Sequence, residues 1–285
     1  MDIAHHTAVE ALIRAALAED IGRGDLTTRL TVAPGVAGRA EIVAKQAGVM
    51  AGGPIVGAVF AALGSVANID LLVEEGAGFG VGTVLVRMDG PAADLLAGER
   101  VALNFLQRLC GVATSARRYA DAVAGTGARV VDTRKTTPGF RVLEKYAVRM
   151  GGCSNHRGGL DDGILIKENH ITAAGGVAAA LHAARAGAPH TVKIEIECTN
   201  MDEIDAALGA AADAILLDNM TVEQIRAAVR HIAGRVAVEA SGGVTLDNVR
   251  AIAECGVDLI SVGALTHSVA AIDLSMNLVV GSSVA

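Results

Sequence analysis

The second half of the chain alternates short apolar runs with helical patterns, and this alternation constrains the fold more than any other feature. The apolar runs occupy residues 130–131, 164–166, 192–196, 214–217, 236–238 and 259–262. Strands that alternate with helices form parallel sheets. Strands that are apolar along their whole length are buried on both faces, as in a barrel. We therefore expect a parallel α/β barrel that is incomplete, or that contains one further unit without a clear pattern.

The first part of the chain shows a different pattern. Helical spacing is found at residues 8–17 and 54–63, and strand patterns are found at residues 39–45, 69–74 and 83–88. Residues 91–123 are predicted to be helical, with a break near Gly111 that divides them into two helices. Because strands and helices do not alternate regularly here, the sequence predicts an α+β domain.

Positive charge is concentrated in one stretch of an acidic chain. The 285 residues carry a net charge of −7. Residues 129–170 contain eight arginines and lysines and five acidic residues, which gives 8 − 5 = +3. A local cationic region on an acidic protein favours a small anionic ligand over nucleic acid. With 52% hydrophobic and 19% charged residues, the composition excludes a disordered chain and supports a large core.

The cysteines and the N-terminal sequence indicate a cytoplasmic protein. The four cysteines form no CxxC pair, which favours reduced structural thiols over a metal site. Residues 1–20 contain acids and no apolar signal core. Residues 46–69 lack charge and are long enough to span a bilayer. Their glycines and proline instead favour a strand, a turn and a buried helix, so we expect no membrane segment.

The residues at the ends of the predicted strands carry most of the reactive groups. In α/β barrels the active site lies at the carboxyl ends of the strands. Nearly every end carries a charged, amide, hydroxyl or glycine residue: Asp132, Arg134, Lys135, Lys167, Asn169, His170, Glu195, Glu197, Asp218, Asn219, Glu239, Ser241, Gly242, Gly243 and Gly263. A purely structural barrel would not need these groups, so we expect a binding or catalytic site.

The residue types indicate a ligand that combines negative charge, a sugar and a phosphate. Glu197 and Asp218 can accept hydrogen bonds from sugar hydroxyls or hold Mg²⁺ through oxygen atoms. Four cations can bind carboxylates or phosphates: Arg134, Lys135, Arg157 and Lys167. Backbone N–H groups near four further residues can bind a phosphate at the usual position in barrels: Ser241, Gly242, Gly243 and Gly263.

Single residues leave other interpretations open. Arg157 and Lys167, taken alone, are solvated surface charges about as often as they are ligands. His156 alone is more often structural than catalytic. Lys167 at a strand end is also compatible with the Schiff-base lysine of an aldolase. Arg100 lies inside a predicted helix and is interpreted, by itself, as a surface charge or a member of an ion pair.

Several longer motifs follow one another along the chain. They are DTRKTTPG at 132–139, EKYAVR at 144–149, NHR at 155–157, LIK at 165–167, NH at 169–170, LLDN at 216–219, EASGG at 239–243 and SVGALTH at 261–267. EDIGRGD at 19–25 and GER at 98–100 lie in the first part of the chain. Together these motifs resemble the quinolinate phosphoribosyltransferase family, and the resemblance covers nearly the full chain.

The resemblance implies a reaction and a set of residue roles. Quinolinate would be joined to phosphoribosyl pyrophosphate in the presence of Mg²⁺, with release of pyrophosphate and CO₂. The quinolinate carboxylates would be surrounded by Arg134, His156, Arg157 and Lys167, with Arg100 supplied by the neighbouring subunit of a homodimer or higher homo-oligomer. Catalysis would involve Lys135, Lys167, Glu197 and Asp218, of which the two acids would bind the ribose or the metal. The 5′-phosphate would contact Ser241, Gly242, Gly243 and Gly263.

The resemblance also implies an N-terminal α+β domain followed by a parallel α/β barrel of about seven strands. We place these domains at residues 1–112 and 113–271, with a tail at residues 272–285 that packs back on the first domain. Three alternatives stay open: a related enzyme of the same fold acting on another aromatic acid, a Schiff-base aldolase, and a sugar-phosphate binding protein without catalysis. The number of cations favours a dicarboxylate substrate.

Overall fold

The computed structural model describes residues 3–280 and divides into two compact units. The first unit comprises the described residues of Met1–Arg117, Thr137–Gly152 and Ser268–Ala285; the second comprises Arg118–Thr136 and Cys153–His267. Each unit is therefore assembled from separate parts of the chain. The domain boundaries after residues 112 and 271 stay a prediction from the sequence, and residues 281–285 of the predicted tail lie outside the described residues.

The first unit combines helices with an antiparallel sheet. Its elements are a 3-10 helix at Ile3–His5, helices α1 (Thr7–Ile21), α2 (Leu26–Thr31), α3 (Gly53–Ala62), most of α4 (Ala92–Ala122) and α5 (Arg141–Met150), and strands β1 (Ala37–Ala44), β2 (Gly48–Val49), β3 (Asn68–Leu71), β4 (Gly78–Phe79), β5 (Val84–Pro91) and β12 (Leu274–Val280). Four strands pair in the order β12-β1-β5-β3, each antiparallel to its neighbour. Alternate residues of β1 are fully buried, namely Ala40, Ile42 and Ala44. This period of two is the signature of a half-buried strand, and the prediction of an α+β first part is confirmed.

Helix α4 is continuous through Gly111, so the predicted break into two helices is wrong. A glycine inside a helix costs only about 1 kcal/mol relative to alanine, which tertiary packing can offset. The reason for the glycine is close packing within the first unit. A Cβ atom at Gly111 would collide with the carbonyl oxygen of Ala270 and lie 3.3 Å from the Cα atom of Ala271.

Replacing Gly111 by alanine should therefore destabilise the protein by about 1–3 kcal/mol, because backbone atoms must move to admit the methyl group. Gly57 in α3 provides the matched control, since a Cβ atom there meets nothing within 4 Å. The Gly57→Ala variant should be as stable as the parent or up to about 1 kcal/mol more stable. Urea unfolding of the two variants measures the difference, and equal midpoints would contradict the packing explanation.

The second unit contains the predicted alternation of strands and helices. Its strands are β6 (Arg129–Val131), β7 (Ile164–Ile166), β8 (Ile194–Cys198), β9 (Ala214–Asp218), β10 (Ala237–Ser241) and β11 (Leu259–Ser261), and its helices are α6 (Glu168–Ala174), α7 (Val177–Gly187), α8 (Met201–Gly209), α9 (Val222–Ile232), α10 (Val249–Ala253) and α11 (Ala264–His267). All six strands are parallel, in the order β6-β11-β10-β9-β8-β7. Beyond β6, Ser154 adds one isolated parallel bridge to Val131. The predicted fold class is confirmed, because the chain contains both a parallel α/β sheet and an α+β part.

The strands of this sheet are less uniformly apolar than expected. In β8, Ile194, Ile196 and Cys198 are fully buried, whereas the alternate residues Glu195 and Glu197 are only partly buried. One face of the strand thus packs into the core, and the other carries carboxylates. The sheet therefore has a polar face that the short apolar runs in the sequence did not show.

Two further expectations concern the environment of the chain. Among residues 3–280, no helix combines the length and the apolar character needed to cross a membrane. The four cysteines are buried, and no disulfide joins any of them within the described residues. Burial raises the pKa of both Cys110 and Cys198 to about 12, so these two thiols are poor nucleophiles near neutral pH.

Candidate active site

Strand register brings acidic side chains of the second unit onto one face of its sheet. Glu197 on β8 pairs with Leu216 on β9, which pairs with Glu239 on β10. Paired residues of neighbouring parallel strands point to the same face. Two residues further along, Asp218 pairs with Ser241 and so lies on that face as well. Three carboxylates from three adjacent strands therefore face the same space.

A buried aspartate holds the loop that follows the bridge at Ser154. Asp132, fully buried, accepts hydrogen bonds from the side-chain amide of Asn155 at 2.5 Å and from the backbone N–H of His156 at 2.9 Å. Asn155 and His156 are the first two residues of the NHR motif. The carboxylate of Asp132 therefore fixes the start of that motif next to β6. The following residue, Arg157, is held in turn by a 3.0 Å hydrogen bond from Nη1 to the carbonyl of Gly163.

The second unit contains a cavity of about 580 Å³ over the polar face of the sheet. Its lining includes ten of the residues predicted from the sequence: Arg134, Lys135, His156, Arg157, Lys167, Glu197, Asp218, Ser241, Gly242 and Gly243. It also includes residues to which the sequence interpretation gave no role, although it placed Asn219 and Glu239 at strand ends: Thr133, Leu165, Leu216, Asn219, Glu239 and Ser261. Residues from six strand ends or adjoining loops thus converge on one concave surface, although their individual roles stay predictions.

The positive charges of Arg157 and Arg134 in the cavity repel each other. Burial lowers the pKa of Arg157, and the positive charge of Arg134 lowers it further. Lys135 lies on the loop after β6, where the hydroxyl of Thr266 donates a 2.7 Å hydrogen bond to its carbonyl oxygen. A ligand with negative groups would relieve the repulsion between the guanidinium groups.

The acids of the cavity differ in their surroundings. Glu197 accepts a 2.7 Å charged hydrogen bond from Nζ of Lys167. Asp218 accepts one from the side-chain amide of Asn219 at 2.6 Å. Burial raises the pKa of Asp218, and the negative charge of Glu197 adds to this effect, while Lys167 opposes it. The two carboxylates repel each other, so a cation or sugar hydroxyls placed between them would be stabilising.

The turn after β10 requires glycine for two reasons. Gly242 has φ +90°, and a Cβ atom there would collide with the side chain of Asn219. Gly243 follows with φ +59°. Two consecutive glycines with positive φ expose their backbone N–H groups in a concave turn, which is a common anion-binding arrangement. The fourth predicted phosphate residue, Gly263, is not part of the cavity lining, but a Cβ atom there would lie 3.1 Å from Cδ of Lys135.

Glu195 and Glu239 were placed at strand ends by the sequence interpretation, but it gave neither of them a role. The interpretation that the strand ends at residue 238 and that Glu239 follows it is wrong, because β10 continues to Ser241. Nε2 of His156 lies 3.3 Å from Glu195 and 3.5 Å from Glu239. The charge of Glu239 was taken as the end of the strand, although the strand continues through Ala240 to Ser241.

Arg100 lies in the first unit and is not among the residues that line this cavity. It is on α4, its side chain is 58% exposed, and it lies 3.9 Å from Glu99. An exposed pair at this distance contributes little to stability. Its predicted role in a neighbouring subunit therefore stays a prediction.

Comparison with known proteins identifies the family. The model of the quinolinate phosphoribosyl transferase C-terminal domain matches residues 112–277, and that of the N-terminal domain matches residues 25–110. The chain belongs to the quinolinate phosphoribosyl transferase family. The site described above lies within the part matched by the C-terminal domain of that family.

Relatives in this family resemble the chain over most of its length. The probable nicotinate-nucleotide pyrophosphorylase [carboxylating] of Synechocystis is 45% identical over 92% of this chain and 90% of its own. The human nicotinate-nucleotide pyrophosphorylase [carboxylating] is 41% identical over 84% of this chain and 82% of its own. The structure of the nicotinate-nucleotide pyrophosphorylase from Francisella tularensis has a TM-score of 0.89 and 38% identity, covering 95% of this chain and 96% of that one. The resemblance found in the sequence motifs to the quinolinate phosphoribosyl transferase family is confirmed.

Proposed function

We propose that the chain transfers a phosphoribosyl group from phosphoribosyl pyrophosphate to quinolinate and decarboxylates the product to nicotinate mononucleotide. Pyrophosphate and CO₂ are the other products, and the reaction belongs to NAD biosynthesis. The observation that carries the proposal is the cavity of the second unit, where guanidinium and ammonium groups face carboxylates and a glycine turn. Family membership and the names of the relatives agree with this reading. We place the reaction in the cytoplasm.

The quinolinate carboxylates are bound by the cationic part of the cavity. Arg134, Arg157 and Lys167 supply the positive charge, and the lowered pKa of Arg157 supports this role because mutual repulsion is relieved when an anion binds. Guanidinium groups bind carboxylates through two parallel hydrogen bonds, which fixes the orientation of the ring. His156 lines the same cavity, and we place it against the carboxylates.

The phosphates of phosphoribosyl pyrophosphate are bound by the glycine turn and by lysine. Ser241, Gly242, Gly243 and Gly263 surround the 5′-phosphate, while Lys135 and Lys167 neutralise phosphate groups and the leaving pyrophosphate. Lys167 is engaged with Glu197 in the structure. When a phosphate binds, the ammonium group of Lys167 would therefore exchange its contact with Glu197 for a contact with the phosphate.

Replacing Gly242 by alanine should reduce kcat/KM for phosphoribosyl pyrophosphate by about 10- to 100-fold, because the methyl group is strained at φ +90° and displaces Asn219. Gly234 is the matched control, since it has φ +73° and a Cβ atom there meets nothing within 4 Å. The Gly234→Ala variant should keep its activity despite similar backbone strain. Steady-state kinetics at saturating quinolinate compares the two, and equal losses would argue against a phosphate site at the turn.

Glu197 and Asp218 fit a site for Mg²⁺ and the ribose hydroxyls. Both are carboxylates on neighbouring strands, and their repulsion contributes to the raised pKa of Asp218. Oxygen ligands are those that Mg²⁺ prefers, and Mg²⁺ commonly binds phosphates together with one or two carboxylates. When bound, the ion would neutralise charge on the pyrophosphate. Without the ion, the two acids still stabilise positive charge that develops on the ribose.

The chemical steps follow from these charges. Departure of pyrophosphate leaves positive charge at C1 of the ribose, which Glu197 and Asp218 stabilise. The ring nitrogen of quinolinate then attacks C1. The resulting pyridinium ring withdraws electrons from C2, so the carboxylate at that position can leave as CO₂. No covalent bond to the protein forms in this scheme.

The neighbouring subunit of a homodimer, or of a larger homo-oligomer, completes the site with Arg100. The exposure of this side chain on α4 and its weak contact with Glu99 leave it available for such a role. Mixing the Arg100→Ala variant with an Arg134→Ala variant should restore activity, because a hybrid dimer contains one site with neither change. Failure of mixed subunits to regain activity would argue against a shared site.

Release of CO₂ from carboxyl-labelled quinolinate, with and without phosphoribosyl pyrophosphate, tests the proposed function. Release that depends on both substrates is expected, and its absence would overturn the assignment. If another aromatic acid is consumed instead, the chain is a related enzyme with a different substrate. Ligand binding without turnover would identify a binding protein.

The aldolase alternative is tested by borohydride. Nζ of Lys167 donates a 2.7 Å hydrogen bond to Glu197, so this nitrogen is engaged by a carboxylate, whereas a Schiff base requires it to attack a carbonyl carbon. Treatment with borohydride in the presence of substrates should therefore leave the protein unmodified. A covalent adduct at Lys167 would contradict the proposed chemistry.

A further inference from the structure

Glu239 is a buried carboxylate inside the cavity that the reaction scheme above does not use. It lies in the middle of β10, on the face that carries Glu197 and Asp218, and is 1% exposed. Neither of its carboxylate oxygens has a hydrogen-bond partner of good geometry among the described residues. An ionised carboxylate in such a place is unstable, so this group is expected to bind a proton or a ligand.

The hydrogen bonds of His156 indicate whether Glu239 binds a proton or a metal ion. The backbone N–H of Arg157 donates a 2.7 Å hydrogen bond to Nδ1 of His156. Nδ1 is therefore the acceptor, and in a neutral ring Nε2 carries the proton. Nε2 lies between Glu195 on β8 and Glu239 on β10, at 3.3 and 3.5 Å. A metal ion at Nε2 would require an imidazole that has lost both protons, so the arrangement favours a shared proton over a shared metal ion.

The surroundings of Glu239 favour a proton on its carboxyl group, next to His156 and Glu195. Burial raises its pKa to about 7, with a further contribution from the negative charge of Glu195. His156, the hydroxyl of Ser261 on β11 and Lys167 act in the opposite direction. Glu239 faces the same imidazole N–H as Glu195, so a negative charge on Glu239 would be buried with little compensation. The raised pKa of Glu239 therefore favours a protonated carboxyl at this position.

We propose that Glu239 is a further catalytic residue, which supplies the proton that replaces the departing carboxylate at C2 of the quinolinate ring. The inference rests on the proposed function and adds a step to it. The bond between C2 and the carboxylate carbon breaks, CO₂ leaves, and the electron pair stays on C2. The O–H bond of the Glu239 carboxyl then breaks, its proton forms the C2–H bond, and Glu239 is left as a carboxylate. Solvent returns the proton once the product has left.

A local proton source matters because the carbanion has two possible fates. It either captures a proton or recombines with the CO₂ that has just formed. A cavity that is closed by bound substrate contains little water, so a carboxyl beside the ring favours the first outcome. Of the three acids that line the cavity, Glu197 is paired with Lys167 and Asp218 accepts a hydrogen bond from Asn219. Glu239 has neither an ammonium nor an amide group bonded to it among the described residues, and its neighbours are Nε2 of His156 at 3.5 Å and the hydroxyl of Ser261.

The Glu239→Gln variant tests the step in a single turnover with carboxyl-labelled quinolinate, phosphoribosyl pyrophosphate and Mg²⁺. Glutamine keeps the shape but cannot supply the proton. Pyrophosphate release should stay within about 3-fold of the parent, while CO₂ release slows by about 100-fold, as expected for the loss of a general acid. Quinolinate that carries a phosphoribosyl group on its ring nitrogen should accumulate. Glu254→Gln is the matched control, because Glu254 is exposed and pairs with Arg250 outside the cavity, and both rates should match the parent.

The possible outcomes separate this inference from the proposed function. If the parent protein releases no pyrophosphate from the two substrates, the proposed function fails. If the Glu239→Gln variant releases CO₂ at the parental rate, or loses both products equally while folded, only the proton-donor role fails.

The parent protein provides a second test that does not depend on a variant. Because the acid form is required, single-turnover CO₂ release should fall as the pH rises through about 7, where Glu239 ionises. Pyrophosphate release should not follow that decline. A rate of CO₂ release that is flat between pH 6 and 9 would overturn the proposal, and this measurement decides the matter if the glutamine variant does not fold.

Discussion

Replacing Arg157 by methionine is expected to raise KM for quinolinate by about 100-fold, with a much smaller effect on KM for phosphoribosyl pyrophosphate. The estimate follows from the cost of about 2–5 kcal/mol for removing one member of a desolvated charged hydrogen-bonded pair. Methionine keeps the apolar stem of the side chain but loses the guanidinium group that would bind a carboxylate. It also loses the hydrogen bond from Nη1 to Gly163, so a small change in loop order accompanies the loss.

Arg185→Met is the matched control for this prediction. Arg185 is also in the second unit, but it is a surface residue that pairs with Asp213 at 2.8 Å. Surface pairs contribute at most about 1 kcal/mol, so its kinetics should be unchanged and its stability only slightly lower. Initial-rate kinetics with each substrate varied in turn measures both constants. An unchanged KM for quinolinate in the Arg157→Met protein would remove this residue from the proposed binding site.

The electrostatics of the cavity add a second expectation for the same variant. Burial and the charge of Arg134 both lower the pKa of Arg157, which means that the free protein holds this charge at an energetic cost. Removing it relieves that cost and partly offsets the lost hydrogen bond. Thermal unfolding of the ligand-free variant should therefore occur within a few degrees of the parent, although binding is severely impaired.

Replacing Asp132 by asparagine should destabilise the protein by about 2–4 kcal/mol and reduce kcat/KM for quinolinate. Asp132 is fully buried and accepts hydrogen bonds from Asn155 and from the backbone of His156. Asparagine has only one acceptor oxygen, and its NH₂ group would face a donor. Leaving a buried donor unpaired costs about 1–3 kcal/mol, and more when the lost partner was charged. His156 and Arg157 would also lose their fixed position, so catalysis should suffer together with stability.

Asp161→Asn provides the control for this change, because Asp161 lies exposed on the loop before β7. Surface substitutions of this kind usually change stability by no more than about 0.5 kcal/mol. The free energies of unfolding of the two variants, measured with denaturant, should therefore differ by about 2 kcal/mol or more. If the Asp132→Asn protein matches the Asp161→Asn protein in stability and activity, the buried carboxylate does not hold the loop.

Much of the site was already visible along the chain. The parallel strands were predicted because their apolar runs and helical intervals are local periodic features. Arg134, Lys135, Lys167 and Asp218 were placed at strand ends for the same reason, since a residue that directly follows a strand lies at the edge of the sheet. The chemical types of these side chains then limited the groups that the site can bind to anions, hydroxyls and divalent cations.

Other features depended on contacts between distant parts of the chain. Gly111 was taken as a helix break, because no local signal shows the carbonyl of Ala270 that lies against it. The division into units also crosses the sequence, since Thr137–Gly152 belongs to the first unit although it lies between two segments of the second. Neither feature can be obtained from periodicity within a window of residues.

The sequence by itself determined the fold class, the family and most of the charged groups of the cavity, because local periodicity and contiguous motifs are properties of the chain. Only the tertiary structure decided that Glu195, Glu239 and His156 meet. These residues come from β8, from β10 and from the loop after the bridge at Ser154. Strand register and loop position bring them together, and the burial that results raises the pKa of Glu239 to about 7. A carboxylate acquires such a pKa only from its surroundings, and those surroundings exist only in the folded protein.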